Sequence, residues 1–412
     1  MNPGFYIILA AQFFSALADN ALLFAAIALL HSLQAPNWYT PVLQEAFIFS
    51  YIVLAPFVGA FADSLPKGRV MFISNNIKIL GCIAMLFGVN PLLAYGLVGL
   101  GAATYSPAKY GILTEYLPAE QLVLANSWME GLTVLAIVLG AIVGGIFINP
   151  AIAEPMLKWW DVPFIDTGID TPPELAVVLI TGIYIVAAWF NLYIPRVAID
   201  HKTLSRNPVF LARDFWHCFK LLWKDPLGQV SLAVTTLFWG IGATLRLLVL
   251  SWAAIALNFD MSSAAALTAW VAVGIAIGAV LAAKFVKLQH SVKVLPVGIA
   301  MGLMVLVMIP ITNSVLATIL LIVIGAMGGY FVVPMNALLQ HRGHLLMGAG
   351  SSIAVQNFNE NLSIFAMLGL YAAMEKLELS IYLIIWVFGL LLSGIMAALY
   401  RRHGHDQDHG QM

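Results

Sequence analysis

Twelve long apolar runs follow one another along the 412-residue sequence, each with few or no charges. Their length matches the roughly 20 residues that a helix needs to cross the hydrocarbon core of a bilayer. The runs lie at about 5–33, 42–63, 70–89, 92–116, 125–148, 174–195, 227–257, 262–284, 294–311, 314–340, 348–374 and 379–400. Because 61% of the residues are hydrophobic and only 9% are charged, the sequence predicts an all-α membrane protein with 12 transmembrane helices.

The basic residues between the runs fall mainly on one side of a twelve-span arrangement. Of the 19 Lys and Arg, that side holds Lys67, Arg69, Arg196, Lys202, Arg206, Arg213, Lys220, Lys224, Lys284, Lys287, Lys293, Arg342, Arg401 and Arg402. Since Lys and Arg concentrate in cytoplasmic loops, both termini are predicted to be cytoplasmic. The net charge of -1 argues against a nucleic-acid partner, which would require a basic surface.

A basic polar stretch near the middle of the chain separates six runs from the other six. We therefore predict an N-terminal six-helix bundle at 1–195, a cytoplasmic central loop at 196–226, a C-terminal six-helix bundle at 227–401 and a hydrophilic His-rich tail at 402–412. The two halves also echo each other, because Pro107 and Pro334 occupy matching places in the fourth and tenth runs. Such repeats favour a transporter with its site at the interface between the halves.

Among the ionisable residues inside the predicted spans, four stand out, namely Asp19, Lys109, Arg246 and Glu360. An ionised side chain at the centre of a membrane helix costs about 2.5 to 3.5 kcal/mol on insertion scales, so each one requires an explanation. One interpretation is that these residues pair and hold one conformation closed. The other is that they bind the charged parts of a substrate, and both interpretations remain open at this point.

Helical spacing shows which polar residues accompany Asp19 in the first span. Gln12, Ser15 and Asp19 stand at i, i+3 and i+7, and form one polar stripe on an otherwise apolar helix. Such a stripe is expected to face an interior cavity. Asn20 follows Asp19 and is a further candidate for binding.

The seventh span places Trp239, Gly242 and Arg246 on one face. Arginine suits bidentate binding of phosphate or carboxylate, and Gly242 would leave room beside it. Trp239 fits either a flat wall of a site or an ordinary packing position.

In the fourth span, Lys109 follows Pro107, a residue that interrupts the ladder of backbone hydrogen bonds in the helix. Its alternative role is snorkelling to the cytoplasmic interface.

The eleventh span is the most polar of the twelve. Gln356, Glu360 and Ser363 form one stripe, and Asn357 and Asn361 lie next to it. These amides are expected either to bind substrate or to form hydrogen bonds between helices.

Two other charged residues of the spans, Lys78 and Glu130, are predicted to form structural pairs near helix ends.

The loop after the second span reads GAFADSLPKGR, from Gly59 to Arg69. It resembles the glycine, aspartate and basic loop that marks the major facilitator superfamily, although Ser64 replaces the usual basic residue after the aspartate. The resemblance implies a gating or conformational role for the residues of the loop that match, namely Gly59, Asp63, Lys67, Gly68 and Arg69. It also implies the fold of that superfamily, in which two six-helix bundles pack together.

Longer motifs extend the resemblance from about Gln12 to Arg401. They are Asp19–Phe24, Ala55–Gly59, Tyr105–Leu113, Phe331–Pro334 with Asn336–Gln340, and Ala354–Asn357. These segments resemble the bacterial lysophospholipid transporters, a family within the major facilitator superfamily. The departures from the family pattern are a shorter amino terminus, an acidic outer stretch at 149–173 and the His-rich tail.

The resemblance implies movement of lysophosphatidylethanolamine and related lysolipids from the outer to the inner leaflet of the bacterial inner membrane. A separate acyl-ACP synthetase, acting as acyltransferase, would then reacylate them. Arg246 and Lys109 would hold the phosphate of the headgroup, and Asp19 and Glu360 its ammonium. The full set of predicted substrate-binding residues is Asp19, Asn20, Lys109, Arg246, Glu360, Gln12, Trp239, Gln356, Asn357 and Asn361.

The chain is therefore expected to be a monomeric transporter and not an enzyme, with a lysophospholipid and the bilayer as its partners and with no cofactor or metal. It contains no GxxxxGK[ST] phosphate-binding loop, so an ATP-driven motor is not indicated. One alternative is a proton-coupled exporter of drugs or small metabolites, in which Asp19 or Glu360 cycles a proton. A second alternative is a sensor or scaffold that binds lysolipid without moving it.

Overall fold

The computed structural model describes residues 2–35, 39–160, 169–197, 204–205, 207–259 and 261–403. Within these residues the chain forms fourteen α-helices. They are α1 (Pro3–Ser32), α2 (Tyr39–Ser64), α3 (Lys67–Leu86), α4 (Pro91–Tyr116), α5 (Leu122–Phe147), α6 (Pro150–Trp160), α7 (Pro172–Leu192), α8 (Pro208–Lys224), α9 (Pro226–Ala256), α10 (Met261–Phe285), α11 (Leu295–Leu306), α12 (Ser314–Met347), α13 (Ala349–Lys376) and α14 (Ile381–His403). Most of the predicted His-rich tail, 404–412, lies outside the described residues.

Each of the twelve predicted spans coincides with one of these helices. Ten helical segments of the described chain are long and apolar enough to cross a membrane, so the protein is a multi-pass membrane protein. The two other predicted spans are α4 and α13, which have 26 and 28 residues but are less hydrophobic than the other ten. Their polar side chains lower the hydropathy, and these side chains belong to the candidate site described below.

One span is built from two kinds of helix. The α-helical part, α11, has only 12 residues, but a 3₁₀ segment of 7 residues, Leu288–Val294, precedes it directly. At about 1.5 Å per α-helical residue and about 2.0 Å per 3₁₀ residue, the two parts together extend over about 32 Å. This length matches the hydrocarbon core of a bilayer, about 30 Å.

Two helices, α6 and α8, form in connections where no span was predicted. The first lies in the acidic outer stretch at 149–173, and the second lies in the predicted central loop at 196–226. The amphipathic helix α8 packs aromatic side chains against α13: the rings of Phe219 and Phe358 are 6.1 Å apart, and Trp223 Nε1 donates to Asn359 Oδ1 at 3.3 Å. Amphipathic segments of this length have too few consecutive apolar residues to be detected as spans.

The chain divides into two compact units. The first unit comprises Met1–Glu115, Leu135–Phe215 and Ala349–Ala354, and the second comprises Tyr116–Val134, Trp216–Gly348 and Val355–Met412. In the first unit, α7 packs on α1 and α3, and small side chains such as Ala18, Ala21 and Ala25 are fully buried in its core. Small residues allow helix backbones to approach closely where lipid provides no hydrophobic drive. The two six-helix bundles with boundaries at 1–195 and 227–401 stay a prediction.

In the second unit, α10 and α12 approach each other through two pairs of glycines. A Cβ added at Gly274 would lie 2.2 Å from the Ile322 carbonyl oxygen, and one at Gly278 would lie 2.0 Å from the Ala326 carbonyl oxygen. Additions at Gly325 and Gly329 on α12 would each lie 2.2 Å from a carbonyl oxygen of α10. Each helix therefore carries glycines four residues apart, and only hydrogen side chains permit this backbone contact.

Replacing Gly278 with Ala tests this contact. Because the new methyl group would meet backbone rather than a flexible side chain, the helices must separate, and we expect the free energy of unfolding to fall by about 1 to 3 kcal/mol. The measurement is thermal unfolding of the purified protein in detergent. Gly369→Ala is the matched control, since an added Cβ there meets nothing within 4 Å. An equal melting temperature for the two variants would contradict the close α10–α12 contact.

Candidate functional site

Asp19 lies in the middle of α1 and forms a salt bridge with Lys78 of α3, with 2.8 Å between Oδ2 and Nζ. The Lys78 side chain is 1% exposed and the Asp19 side chain is 22% exposed. Tyr184 of α7 donates its hydroxyl proton to the other carboxylate oxygen, Oδ1, at 2.7 Å. Lys78 thus forms an ion pair, as predicted, but the pair lies in the middle of α1 and α3 and not near a helix end.

Polar and aromatic groups complete the surroundings of Lys78. Its ammonium group donates to Ser15 Oγ at 3.0 Å, and Ser15 in turn donates to Asn75 Oδ1 at 2.8 Å. The ammonium also lies 4.8 Å from the ring centre of Tyr105 and 5.5 Å from that of Tyr184. These contacts compensate a buried ammonium for the loss of water.

The polar stripe on α1 lines a small cavity in the first unit, as predicted. The cavity has a volume of about 70 Å³ and is bordered by Gln12, Ser15, Asp19, Lys78 and Lys109, with Tyr51, Tyr105 and Ser106 completing its polar lining. It follows that one carboxylate and two ammonium groups border the same space. The substrate-binding roles of Gln12, Asp19 and Lys109 remain predictions.

Lys109 reaches this cavity from α4. Pro107 lies inside the helix two residues earlier, as Pro334 does in α12, so both predicted intrahelical prolines are confirmed. The Lys109 ammonium lies 4.6 Å from the ring centre of Tyr110. Its position in the cavity lining favours a role in the site over snorkelling to the interface.

A second polar cluster lies in the second unit, where α5, α12 and α13 contribute amides and carboxylates. Gln356 Nε2 donates to Asn336 Oδ1 at 2.9 Å and to Glu360 Oε1 at 2.7 Å. Asn336 Nδ2 donates to Glu130 Oε1 at 3.4 Å. Gln356 and Glu360, two residues of the stripe predicted for the eleventh span, thus lie side by side, and Glu130 lies within the cluster rather than near a helix end. All four side chains are buried.

A reciprocal amide pair extends this cluster. Asn126 Nδ2 donates to Gln340 Oε1 at 2.9 Å, and Gln340 Nε2 donates to Asn126 Oδ1 at 2.8 Å. Both residues are at most 2% exposed. Because each amide satisfies the other, this pair is suited to joining α5 and α12 rather than to binding a ligand.

The predicted face of α9 has open space beside its glycine. Trp239 is half-buried and its ring lies edge-on to Phe238, with 5.6 Å between the ring centres. A Cβ added at Gly242 would meet nothing within 4 Å. Arg246 is exposed and forms no salt bridge with any described residue. Its guanidinium therefore remains available for an anionic group.

Two of the predicted polar residues bond to their own helices. Asn20 Nδ2 donates to the Ala16 carbonyl oxygen, and Asn361 Nδ2 donates to the Asn357 carbonyl oxygen, each at 2.8 Å. Both side chains remain partly exposed, whereas Asn357 is buried. Such bonds occupy one amide proton and leave the side-chain oxygen for another donor.

The predicted loop from Gly59 to Arg69 is in the structure the end of α2 and the start of α3, since only residues 65 and 66 lie between the two helices. A buried ionic cluster lies where the two helices meet. Lys67 Nζ lies 2.9 Å from Asp63 Oδ1 and 3.0 Å from Glu115 Oε1. Asp63 also accepts from the Gly350 N–H at 2.6 Å, from the Ser351 N–H at 2.9 Å and from Ser351 Oγ at 2.8 Å. The aspartate therefore ties the end of α2 to the first turn of α13.

Two glycines beside this cluster, Gly59 in α2 and Gly68 in α3, permit close packing. A Cβ added at Gly59 would lie 2.9 Å from Cα of Ser351, and one at Gly68 would lie 3.1 Å from the Asn191 carbonyl oxygen. Arg69, the last of the predicted gating residues, is exposed. The gating role of Gly59, Asp63, Lys67, Gly68 and Arg69 stays a prediction.

Sequence reasoning missed several partners in these clusters. They are Tyr184, Asn75, Tyr105, Glu115, Asn126 and Gln340. A signal existed for Asn75, which precedes Lys78 by three residues and so forms a second short polar stripe in an apolar helix. Tyr184 and Tyr105 carried no such signal, because a single tyrosine in an apolar helix does not form a polar stripe.

The comparisons with known proteins agree with this architecture. A sequence model of the Major Facilitator Superfamily matches residues 8–366. The lysophospholipid transporter LplT of Yersinia pestis (strain Pestoides F) is 46% identical over 371 residues, which cover 90% of this chain and 86% of the relative. The protein of the same name from Yersinia pseudotuberculosis serotype O:3 (strain YPIII) gives the same values.

Solved structures with the same fold are much more distant in sequence. A bacterial homologue of the iron transporter ferroportin, in an outward-facing state, aligns with a TM-score of 0.74 and 14% identity, over 98% of this chain and 100% of the other. The transporter FucP in the outward conformation aligns with a TM-score of 0.71 and 12% identity, over 99% of both chains. At these identities the likeness shows the fold alone.

Proposed function

The chain belongs to the Major Facilitator Superfamily, a family of transporters, and from this membership we propose that it moves lysophospholipids across the bacterial inner membrane. A transporter of this fold is not an enzyme, since it carries its substrate across the bilayer without changing it chemically. The 46% identity to proteins named lysophospholipid transporter supports the substrate class. We further propose lysophosphatidylethanolamine and related lysolipids as the cargo, carried by alternating access.

The observation that carries this proposal is the pair of Asp19 and Lys78 beside a cavity that Lys109 also borders. Charges of both signs inside membrane helices are costly, and they are retained where they serve a substrate pathway. A lysophosphatidylethanolamine headgroup carries a phosphate and an ammonium. We propose that the phosphate binds Lys109 and competes with Asp19 for Lys78, while the released carboxylate receives the ammonium.

The second unit supplies further candidates for headgroup binding. We propose that Arg246 holds phosphate and that Glu360 holds the ammonium. Of the other candidates, Trp239 lies on the same face of α9 as Arg246, and the amides Gln12, Asn20, Gln356, Asn357 and Asn361 supply hydrogen bonds. The single acyl chain of a lysolipid is too long for the cavity beside Asp19, whose volume is about 70 Å³. It therefore remains in lipid or in an apolar side space while the headgroup crosses.

The direction and cellular role complete the proposal. Transfer runs from the outer to the inner leaflet, and both termini of the monomeric protein are cytoplasmic. A separate acyl-ACP synthetase, acting as acyltransferase, then restores the second acyl chain of the lysolipid. The loop residues Gly59, Asp63, Lys67, Gly68 and Arg69 control the exchange between conformations.

The test measures the rate at which labelled lysophosphatidylethanolamine crosses the membrane of proteoliposomes that contain the purified protein. Diacyl phosphatidylethanolamine and a sugar serve as comparison substrates. We expect lysolipid to cross faster than in protein-free vesicles, and neither comparison substrate to do so. The same lysolipid rate with and without the protein would overturn the proposal. Lysolipid that binds the protein but does not cross would indicate a sensor or scaffold.

Glu360 provides a variant that separates this function from proton-coupled export. Its carboxylate is buried, accepts from Gln356, and forms no salt bridge with a described residue, which favours a group that takes up a cation during the cycle. We expect Glu360→Gln to lower lysolipid transfer about tenfold, the effect of losing one interaction with a charged group. The control is Glu375→Gln, which changes an exposed carboxylate of the same helix.

An imposed pH gradient distinguishes the two functions. If the protein transports lysolipid by binding its headgroup, the Glu360→Gln variant is slower with or without the gradient. An inward proton gradient that drives a water-soluble solute in the wild type, but not in Glu360→Gln, would instead establish the exporter.

A further inference from the structure

A second cavity lies in the first unit, between the first turn of α3 and the last turn of α7. Its volume is about 230 Å³, so it is larger than the cavity beside Asp19. The lining includes Arg69 and Phe72 of α3, Asn191 of α7, and Ile194 and Arg196 of the segment that follows α7. None of the predicted headgroup-binding residues borders this cavity.

Asn191 is the least expected member of the lining. It is only 2% exposed, yet neither its side-chain oxygen nor its side-chain nitrogen has a hydrogen-bond partner in the described part of the protein. Buried amides without partners are rare because they lose their bonds to water without replacement. An unpaired amide in the wall of a cavity therefore points to a ligand that supplies the missing partner.

The charges around the cavity indicate that this ligand is an anion. Arg69 and Arg196 are both exposed at its mouth, and no carboxylate belongs to its described lining. The first turn of α3 adds a partial positive charge, and Pro66 offers no side chain to cap its free N–H groups. The end of α7 carries the opposite partial charge, about half a unit, which two guanidinium groups outweigh.

The position of the cavity and its apolar walls indicate which class of anion binds there. Both α3 and α7 are candidate membrane spans, so a cavity at their ends lies at the level of the lipid headgroups. Phe72, Leu192 and Ile194 supply apolar surface beside the arginines. Arginine forks match the oxygen atoms of phosphate, and the Asn191 amide can donate to one more.

We propose that this cavity binds the phosphate group of an anionic diacyl phospholipid of the surrounding membrane. This lipid is distinct from the cargo, because it carries a net negative charge and keeps both acyl chains in the bilayer. Gly68 and Arg69 lie both in the cavity lining and in the predicted gating loop. The lipid thus links the anionic lipid content of the membrane to the loop that begins α3.

The test measures lipid binding to the purified full-length protein in detergent by native mass spectrometry. Phosphatidylglycerol is the probe, phosphatidylcholine is the zwitterionic comparison, and inorganic phosphate is the competitor. Arg196→Gln and Asn191→Leu alter the cavity, and Arg213→Gln is the matched control, since Arg213 is an exposed arginine of α8 outside the cavity. We expect one phosphatidylglycerol to bind in preference to phosphatidylcholine, and both cavity variants to weaken that binding about tenfold.

The melting temperature of Asn191→Leu separates a loss of lipid binding from a loss of folding. Because it removes an unpaired buried amide, we expect the lipid-free variant to melt at the wild-type temperature or above it. Wild-type affinity for phosphatidylglycerol in both cavity variants would overturn the proposal. Complete displacement of the lipid by inorganic phosphate would also overturn it, since the site would then be one for free phosphate.

Discussion

Asp19→Asn is expected to abolish lysolipid transfer and to lower the stability of the protein. The substitution leaves the Lys78 ammonium, which is 1% exposed, without its carboxylate. Removing one partner of a buried ion pair costs about 3 to 5 kcal/mol, and the partial exposure of Asp19 places the expected cost at about 3 kcal/mol. The measurements are the rate of lysolipid transfer in proteoliposomes and the abundance of the protein in the membrane.

A second substitution separates the structural part of this effect from the functional part. Asp19→Asn combined with Lys78→Met removes both charges, so we expect membrane abundance to return while transfer stays lost. Ser15→Ala is the matched control, because it removes the hydroxyl that bonds Lys78 and Asn75 but leaves the Asp19–Lys78 ion pair in place. Transfer at the wild-type rate in the double variant would show that the ion pair has no part in moving the headgroup.

Asp63→Asn is expected to release the first turn of α13. The carboxylate accepts both backbone N–H groups of Gly350 and Ser351, and the hydroxyl of Ser351, while it holds Lys67. Bonds to a charged group contribute about 1.5 to 3 kcal/mol each, and an amide oxygen replaces only part of them. We therefore expect hydrogen exchange at the amides of Gly350 and Ser351 to become at least tenfold faster, and lysolipid transfer to fall.

Asp225→Asn is the control for this experiment. Asp225 likewise accepts a backbone N–H, that of Gly228, and pairs with Arg342, but it lies at the start of α9. Faster exchange there should remain local to Gly228. Unchanged exchange at Gly350 and Ser351 in Asp63→Asn would show that the carboxylate does not secure α13.

The helical architecture could be predicted from the sequence because it depends on a local property. A bilayer requires about 20 apolar residues in series and satisfaction of every backbone group within the segment, so each span is specified by its own residues. The runs at 5–33 and 227–257, for example, differ from α1 and α9 by at most two residues at either end. The helices α6 and α8 were not predicted, because an amphipathic segment lacks a long series of apolar residues.

The sequence predicted polar residues that share one helix of the candidate site, but not their partners on other helices. Helical spacing identified the stripe of Gln12, Ser15 and Asp19, since neighbours on one helix are set by its period. It did not assign Lys78 to Asp19, because a pairing between α1 and α3 depends on how the helices pack. The same limit applies to Asp63, whose backbone partners are 287 and 288 residues away and carry no distinctive side-chain pattern.

The sequence by itself determined that this chain crosses a membrane many times and that its charges lie where lipid should be. Both conclusions follow from the free-energy cost of exposing polar groups to hydrocarbon. Each membrane segment must satisfy its own backbone groups, so this cost can be judged from the residues of that segment. Only the tertiary structure decided which charges neutralise each other, and that Asn191 remains buried without a hydrogen-bond partner. Those outcomes depend on distances of about 3 Å between separate helices, and only packed helices define such distances.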